Sequence, residues 1–165
     1  MPAYRVCFVC SGNICRSPTA EVVLRNLLAS AGLADSVLVD SAGIGDWHAG
    51  DDADDRSVAA LRRRGYRVRR HHARQVRPAD LAECDLLVAL DQVHARALRR
   101  IAGTAAEAAK VRLLRSFDPA AGGALDVPDP YYAGPAEFDH VLDLIEAACR
   151  GLLSEIQAVV VARCR

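Results

Sequence analysis

The sequence predicts an α/β protein: four parallel strands in one doubly wound sheet, with helices on both faces. Three observations carry this. Short runs rich in Val, Leu and Phe recur at residues 4–9, 36–40, 84–91 and 111–117, and the first and third are apolar almost throughout, as in strands buried on both faces. Between these runs lie segments of helical periodicity, and parallel neighbours need such crossovers, which are right-handed. No repeat, linker or low-complexity tract interrupts the 165 residues, so the whole chain 1–165 is expected to be one domain.

The elements follow in order. Residues 4–9 (YRVCFV) form the first strand, and the polar turn formers Ser11, Gly12 and Asn13 end it. Ser17 reads as the N-cap of the first helix, with Pro18 at its first position and Val22, Val23, Leu24, Leu27 and Leu28 on its apolar side; Gly32 closes it. The second strand is SVLVD (36–40), with Ser41, Ala42 and Gly43 turning at its carboxyl end. Asp54 or Asp55 caps a helix over 56–64 that stops at Gly65. A short helix at 78–83 precedes the central third strand, CDLLVALD (84–91). A helix over 92–102 leads to the fourth strand, VRLLRSF (111–117). After a loop rich in Pro, Gly and Asp (118–135), a long helix over 137–162 closes the sheet, with Val141, Leu144, Ile145, Ala148, Leu152 and Ile156 on one face.

Composition narrows the function classes. Lys plus Arg number 21 and Asp plus Glu 21, so no global polycation exists for nucleic acid. The stretch 62–77 is basic without an acid, and reads first as a solvated face balanced by the acidic loop 44–55; it would also raise the local concentration of anionic substrates. No apolar run approaches membrane-spanning length, and the chain enters its first strand with no room for a signal peptide. A cytoplasmic protein is expected, with no nucleic-acid or membrane partner; export by a route without a signal peptide is the alternative. Cys7, Cys10, Cys15, Cys84, Cys149 and Cys164 do not suggest a disulfide framework in such a chain. Cys7 and Cys10 have the gap of a zinc knuckle, but no second Cys/His pair has comparable spacing, and adjacent His71 and His72 do not suit one ion. Neither metal nor cofactor is expected.

The chemistry concentrates at residues 10–17. A strand, a tight polar loop and a helix N-terminus in succession make an anion site, because unpaired backbone N–H groups and the positive helix end converge. Helix N-termini and cations also stabilise a thiolate over a thiol, so sulfur at Cys10 is expected to be anionic and nucleophilic. Arg16 adds a planar fork that matches two phosphate oxygens. A nucleotide-phosphate loop would need a Gly-Lys-Ser/Thr ending, which is absent. In the loop 44–55, Trp47 stands as the chain's single tryptophan, either as a wall of a substrate cleft or as a lid over the core. Ser41, at a strand's carboxyl end, falls near the loop or is a plain turn residue, and Asp91 either orients Arg16 or caps the next helix. A proton donor for the leaving oxygen is needed, and Asp118, Asp126 and Asp129 are the candidates in the loop 118–135.

The string CSGNICRS, with SPTAE after it and its place near the N-terminus, resembles the phosphate loop of the low-molecular-weight protein tyrosine phosphatase family, bacterial type. That resemblance implies a flavodoxin-like three-layer sandwich with strand order 2-1-3-4. It implies Cys10 as nucleophile, Arg16 and the loop amides of Ser11, Gly12, Asn13, Ile14 and Cys15 as the phosphate cradle, and Ser17 as the hydroxyl that stabilises the thiolate. The segment DPYY (129–132) matches the family's acid loop, which selects Asp129 and places Tyr131 and Tyr132 at the cleft with Trp47 and His48. HHARQ (71–75) resembles the family's HxARQ, giving His71, with Ser41, the task of supporting Asn13. Cys15 would be a redox partner able to form a disulfide with Cys10.

The implied activity is hydrolysis of phosphotyrosine and small aryl phosphates through a phosphocysteine on Cys10. Partners are then phosphotyrosine proteins, a bacterial tyrosine kinase among them, and the chain is expected to be a monomer, with weak self-association through the aromatic rim as the alternative. Two other activities use the same fold. A thioredoxin-coupled arsenate reductase needs two further cysteines near the end of the third strand, where Asp91 stands instead; a protein-arginine phosphatase is tied to Thr at the position of Ile14.

Overall fold

The computed structural model describes residues 2–165. Its sheet is parallel, with β1 (Tyr4–Cys10), β2 (Val37–Gly43), β3 (Leu86–Ala89) and β4 (Val111–Leu113) in the order β2-β1-β3-β4. Register pairs Cys10 with Gly43 and Val9 with Ala89, so the ends of three strands meet beside the residue-10 loop. Side chains of a strand alternate between faces, and β1 divides the core accordingly. Val6, Phe8 and Cys10 face one layer, with α1 (Arg16–Ser30), α2 (Asp55–Arg63) and α6 (Pro135–Arg163), whereas Cys7 and Val9 face the other, with α3 (Pro78–Glu83) and α4 (Gln92–Ile101). These layers and this strand order are the expected three-layer sandwich.

Local departures from the sequence reading have physical causes. The first helix begins at Arg16, not Pro18, and Ser17 is not its N-cap: Cys15 holds that position without a side-chain bond, while the Ser17 hydroxyl is used by the loop. Ser41, Ala42 and Gly43 continue β2 instead of turning, because pairing with β1 runs on to its last residue. Both β3 and β4 are shorter than their apolar runs; Cys84 and Asp85 precede the ladder, and Leu114–Phe117 coils into a 3-10 turn under α6. A short helix, α5 (Ala105–Ala108), capped by the Thr104 hydroxyl on the Glu107 amide, was not expected from the sequence. Asp54, not Asp55, caps α2 through the Arg56 amide.

The closing helix α6 buries Phe138, Val141, Leu142, Ile145, Ala148, Cys149, Leu152 and Ile156, a stripe at three- and four-residue spacing. Gly151 sits where this helix touches the 3-10 turn, and a Cβ there would overlap the Phe117 carbonyl. Gly151→Ala should therefore destabilise by about 1–3 kcal/mol through overpacking, although alanine is the better helix former by about 1 kcal/mol. A denaturant midpoint equal to or above that of the parent would show that the contact relaxes freely.

Candidate active site

Residues 11–15 connect the carboxyl end of β1 to the first turn of α1. Their polar backbone is sorted by direction. The carbonyl of Cys10 accepts from Ile44 N at 2.9 Å, that of Ser11 from Gly45 N at 3.0 Å, that of Asn13 from His71 Nε2 at 2.7 Å and that of Ile14 from Asp54 N at 2.8 Å. The N–H groups of residues 11–15, by contrast, have no protein acceptor among the described residues. Backbone donors without a partner are rare, and a ring of them at a helix N-terminus is an anion-binding concavity.

Asn13 makes the loop turn. Among the described residues it is the one non-glycine residue with positive φ, 57°, and it is fully buried. Its amide nitrogen donates to Ser17 Oγ and Ser41 Oγ, both at 2.9 Å, and its Oδ1 accepts from the Arg74 amide at 3.0 Å. Ser41 therefore supports Asn13, and His71 does so through the Asn13 carbonyl. Ser41 has one hydrogen, which it gives to Glu21 Oε2 at 3.3 Å. Ser17 likewise accepts from Asn13, so its hydrogen is free for Cys10 Sγ at 2.9 Å or the Ala42 carbonyl at 3.4 Å. Gly43 passes beneath the loop, where a Cβ would lie 2.9 Å from the Ser11 carbonyl oxygen.

Arg16 is anchored from outside the loop. Its Nη1 donates to Asp91 Oδ2 at 2.9 Å and to the Val127 carbonyl at 3.0 Å. Nη2 faces the cleft, 3.6 Å from Asp129 Oδ2, and donates to Ser11 Oγ at 3.5 Å. Asp91 performs both tasks considered for it, since its other oxygen accepts from the His94 amide at 3.0 Å and caps α4. Burial alone would raise its carboxyl, but the His94 amide and the Arg16 guanidinium hold it below the ordinary carboxylate range.

Of the carboxylates weighed for a proton donor, Asp129 alone lines the cleft. Asp126 accepts from the Gln92 amide and Asp118 from the Ala120 amide, both at 2.9 Å, in structural roles. Asp129 Oδ1 accepts from the Tyr131 amide at 3.1 Å, which directs the other oxygen toward Arg16. A pocket of about 220 Å³ is lined by Cys10, Ser11, Gly12, Ile14, Cys15, Arg16, Trp47, His48, Asp129, Tyr131 and Tyr132. Trp47 is 70% exposed, which makes it part of the rim and not a lid over the core. His48 stands over Gly12 and within 3.2 Å of Asp51 Oδ2. Cys15 is buried near Cys10, and burial, with Asp54 nearby, pushes its thiol up to about 12, so it is protonated at neutral pH.

Four residues escaped the sequence reading. His94 is buried and bonds Ser11 Oγ through Nε2 at 2.8 Å. Its Nδ1 lies 3.2 Å from Asp91 Oδ1 at an angle that makes no hydrogen bond. Arg74 clamps Asp40 and Asp80 behind the loop, Glu21 receives the Ser41 hydroxyl, and Arg56 lies over the Tyr131 ring at 5.5 Å. Arg74 stands inside the recognised HHARQ string and Glu21 ends the SPTAE string; His94 and Arg56 are distant in sequence from Ser11 and Tyr131, and no local pattern marks them.

Burial pushes His94 down to about 4, against the opposing pull of Asp91. Its folded value is below that of the unfolded chain, so the unfolded state takes the proton first. The stability from keeping His94 neutral is complete above pH 6.5 and drains as pH falls toward 4. Over that window the loss is roughly 3 kcal/mol. His94→Gln should flatten the dependence of unfolding free energy on pH in this interval relative to the parent; parallel curves would assign the acid sensitivity elsewhere.

The chain matches the family model described as low molecular weight phosphotyrosine protein phosphatase over residues 5–162. It is 55% identical over 161 residues to a low molecular weight protein-tyrosine-phosphatase of Streptomyces coelicolor, covering 97% of this chain and 98% of the relative. It is 53% identical to low molecular weight protein-tyrosine phosphatase A of Mycobacterium tuberculosis, over 89% and 88% of the two chains. Among solved structures, YfkJ from Bacillus subtilis superposes with a TM-score of 0.89 at 39% identity, covering 96% of this chain and 97% of that one. A protein tyrosine phosphatase from Entamoeba histolytica gives 0.89 at 32% identity, over 94% and 98%. A cysteine and an arginine joined by a ring of inward amides are thus carried on a matched sequence and a matched fold, and the chain belongs to the low-molecular-weight protein tyrosine phosphatase family.

Proposed function

We propose that this chain hydrolyses phosphotyrosine in proteins, and small aryl phosphates, by transferring the phosphoryl group to Cys10 and then to water. The observation that carries the reading is the convergence of three groups on one pocket: Cys10 at its floor, the Nη2 edge of Arg16 at its side, and the Asp129 carboxyl 3.6 Å from that guanidinium.

The first step forms an S–P bond and breaks the P–O bond to tyrosine. The Cys10 thiolate attacks in line, the electron pair of the breaking bond leaves with the phenolic oxygen, and Asp129 supplies the proton that neutralises it. Charge on the three equatorial oxygens is met by the free amides of residues 11–15 and by Arg16. Because Nη1 is spent on Asp91 and Val127, Nη2 and Nε form the edge of the fork that meets the phosphate. In the second step Asp129, now a carboxylate, takes a proton from water as its oxygen attacks phosphorus, and the S–P pair returns to Cys10. The Ser17 hydroxyl, whose alternative acceptor is at 3.4 Å, then has the departing thiolate as its nearer partner at 2.9 Å. Tyr131, Tyr132 and Trp47 supply aromatic faces to the substrate ring. Phosphotyrosine proteins are the partners that this cleft suits.

Cys10→Ser should abolish turnover of an aryl phosphate while inorganic phosphate still binds, since the amide ring and Arg16 are intact. Near-wild-type hydrolysis by that variant would refute the assignment. Asp129→Ala should slow the first step in proportion to leaving-group basicity, by about 10²–10⁴-fold for tyrosine-like leaving groups and much less for nitrophenolate. Equal slopes against leaving-group pKa in variant and parent would remove Asp129 from the acid role.

A further inference from the structure

We infer that the molecule has a second binding site, behind the phosphate loop, for a small organic anion with an apolar body. The site is a cavity of about 370 Å³ between α1, α2 and the segment 67–72, larger than the 220 Å³ pocket at the loop. Its volume falls in the range of about 300–1,000 Å³ in which small ligands bind.

The lining has two characters. Pro18 and Val22 of α1, Val58 and Leu61 of α2, and Val68 form an apolar side. Arg67, Arg69 and Arg70 form the other, and among the described residues their guanidinium groups make no hydrogen bond or ion pair with the protein. Cations without partners beside an apolar surface suit a ligand that buries a hydrocarbon or aryl body and presents a carboxylate, sulfonate or phosphate. Two acids also border the cavity, and neither opposes an anion strongly. Asp40 is paired with Arg74 at 2.7 Å, and burial pushes the Glu21 carboxyl up, toward its neutral form, despite Arg25.

The cavity has a physical connection to the loop. Glu21 and His71 both line it. Glu21 holds the Ser41 hydroxyl, which receives an Asn13 N–H, and His71 donates to the Asn13 carbonyl at 2.7 Å. Two of the groups that keep Asn13 in its left-handed conformation are therefore walls of the second site. An occupant that shifts either one changes the affinity of the loop for phosphate, and by linkage phosphate changes the affinity for the occupant by the same factor.

The test uses anilinonaphthalene sulfonate, an aryl anion that fluoresces when its body is shielded from water, titrated into the folded full chain with saturating inorganic phosphate. The expected result is saturable binding that persists at saturating phosphate, its affinity shifted by no more than a fixed factor. Combined Arg67→Ala, Arg69→Ala and Arg70→Ala should weaken it about tenfold or more, the loss of one charge-assisted contact. Val58→Phe, which fills the apolar side, should weaken it as well; should that variant misfold, the arginine variant on the exposed rim decides. Dye affinity that falls without limit as phosphate rises, or that is unchanged in the arginine variant, would overturn the site. Unchanged phosphate affinity in the dye-bound protein would overturn the coupling. Phosphate binding is read without turnover, so these outcomes are separate from whether phosphotyrosine is hydrolysed.

Discussion

The site depends on Asn13 being held in a backbone conformation that it would not keep alone. Left-handed geometry costs a non-glycine residue roughly 1–2 kcal/mol, and asparagine tolerates it better than most. Here the cost is offset by four hydrogen bonds: Ser17, Ser41 and the Arg74 amide on the side chain, and His71 on the carbonyl. Reversing the chain at that one residue turns carbonyls outward to strand ends and loops, and leaves the amides facing one centre. The anion site is a consequence of where the carbonyls find partners.

Charge is arranged around this centre in layers. Arg16 is buried, and a buried cation is tolerated only when it is paired. Asp91 and the Val127 carbonyl satisfy one nitrogen and thereby aim the rest of the guanidinium at the cleft. His94 stands beside the same pair but remains neutral, because burial outweighs the attraction of Asp91. It adds a hydrogen bond to Ser11 without placing a further charge against Arg16. Behind the loop, Arg74 gathers Asp40 and Asp80, so the strand end that carries Ser41 is fixed by an ion-pair cluster as well as by the sheet.

The fold was largely legible because its signals are local. Nearly continuous apolar runs separated by helical periodicity specify buried parallel strands, and the resemblance of CSGNICRS and DPYY to family motifs singled out Cys10, Arg16 and Asp129, which line one pocket. The errors fall where local and tertiary preferences compete. Ser17 has the composition of a helix cap, yet its hydroxyl is claimed by Cys10 and Asn13, so the helix starts without it. Ser41 to Gly43 reads as a turn, yet pairing with β1 keeps it extended. His94 and Arg56 act on residues brought near by the crossovers, and their own neighbours in sequence give no hint of it; Glu21 ends the SPTAE string, but its contact with Ser41 is set by packing.

Order along the chain was enough for the class of fold, for the strand, polar turn and helix start at residues 10–17 and, with the motif likeness, for choosing Cys10, Arg16 and Asp129 as one candidate set. Those properties follow from short-range facts: strand, turn and helix start are written in consecutive residues. Which carboxylate faces the arginine, which nitrogen of that arginine is left for an anion, and which side chains steady Asn13 were settled by packing. Each depends on a distance between segments some thirty to a hundred residues apart, and only the assembled sheet sets such distances.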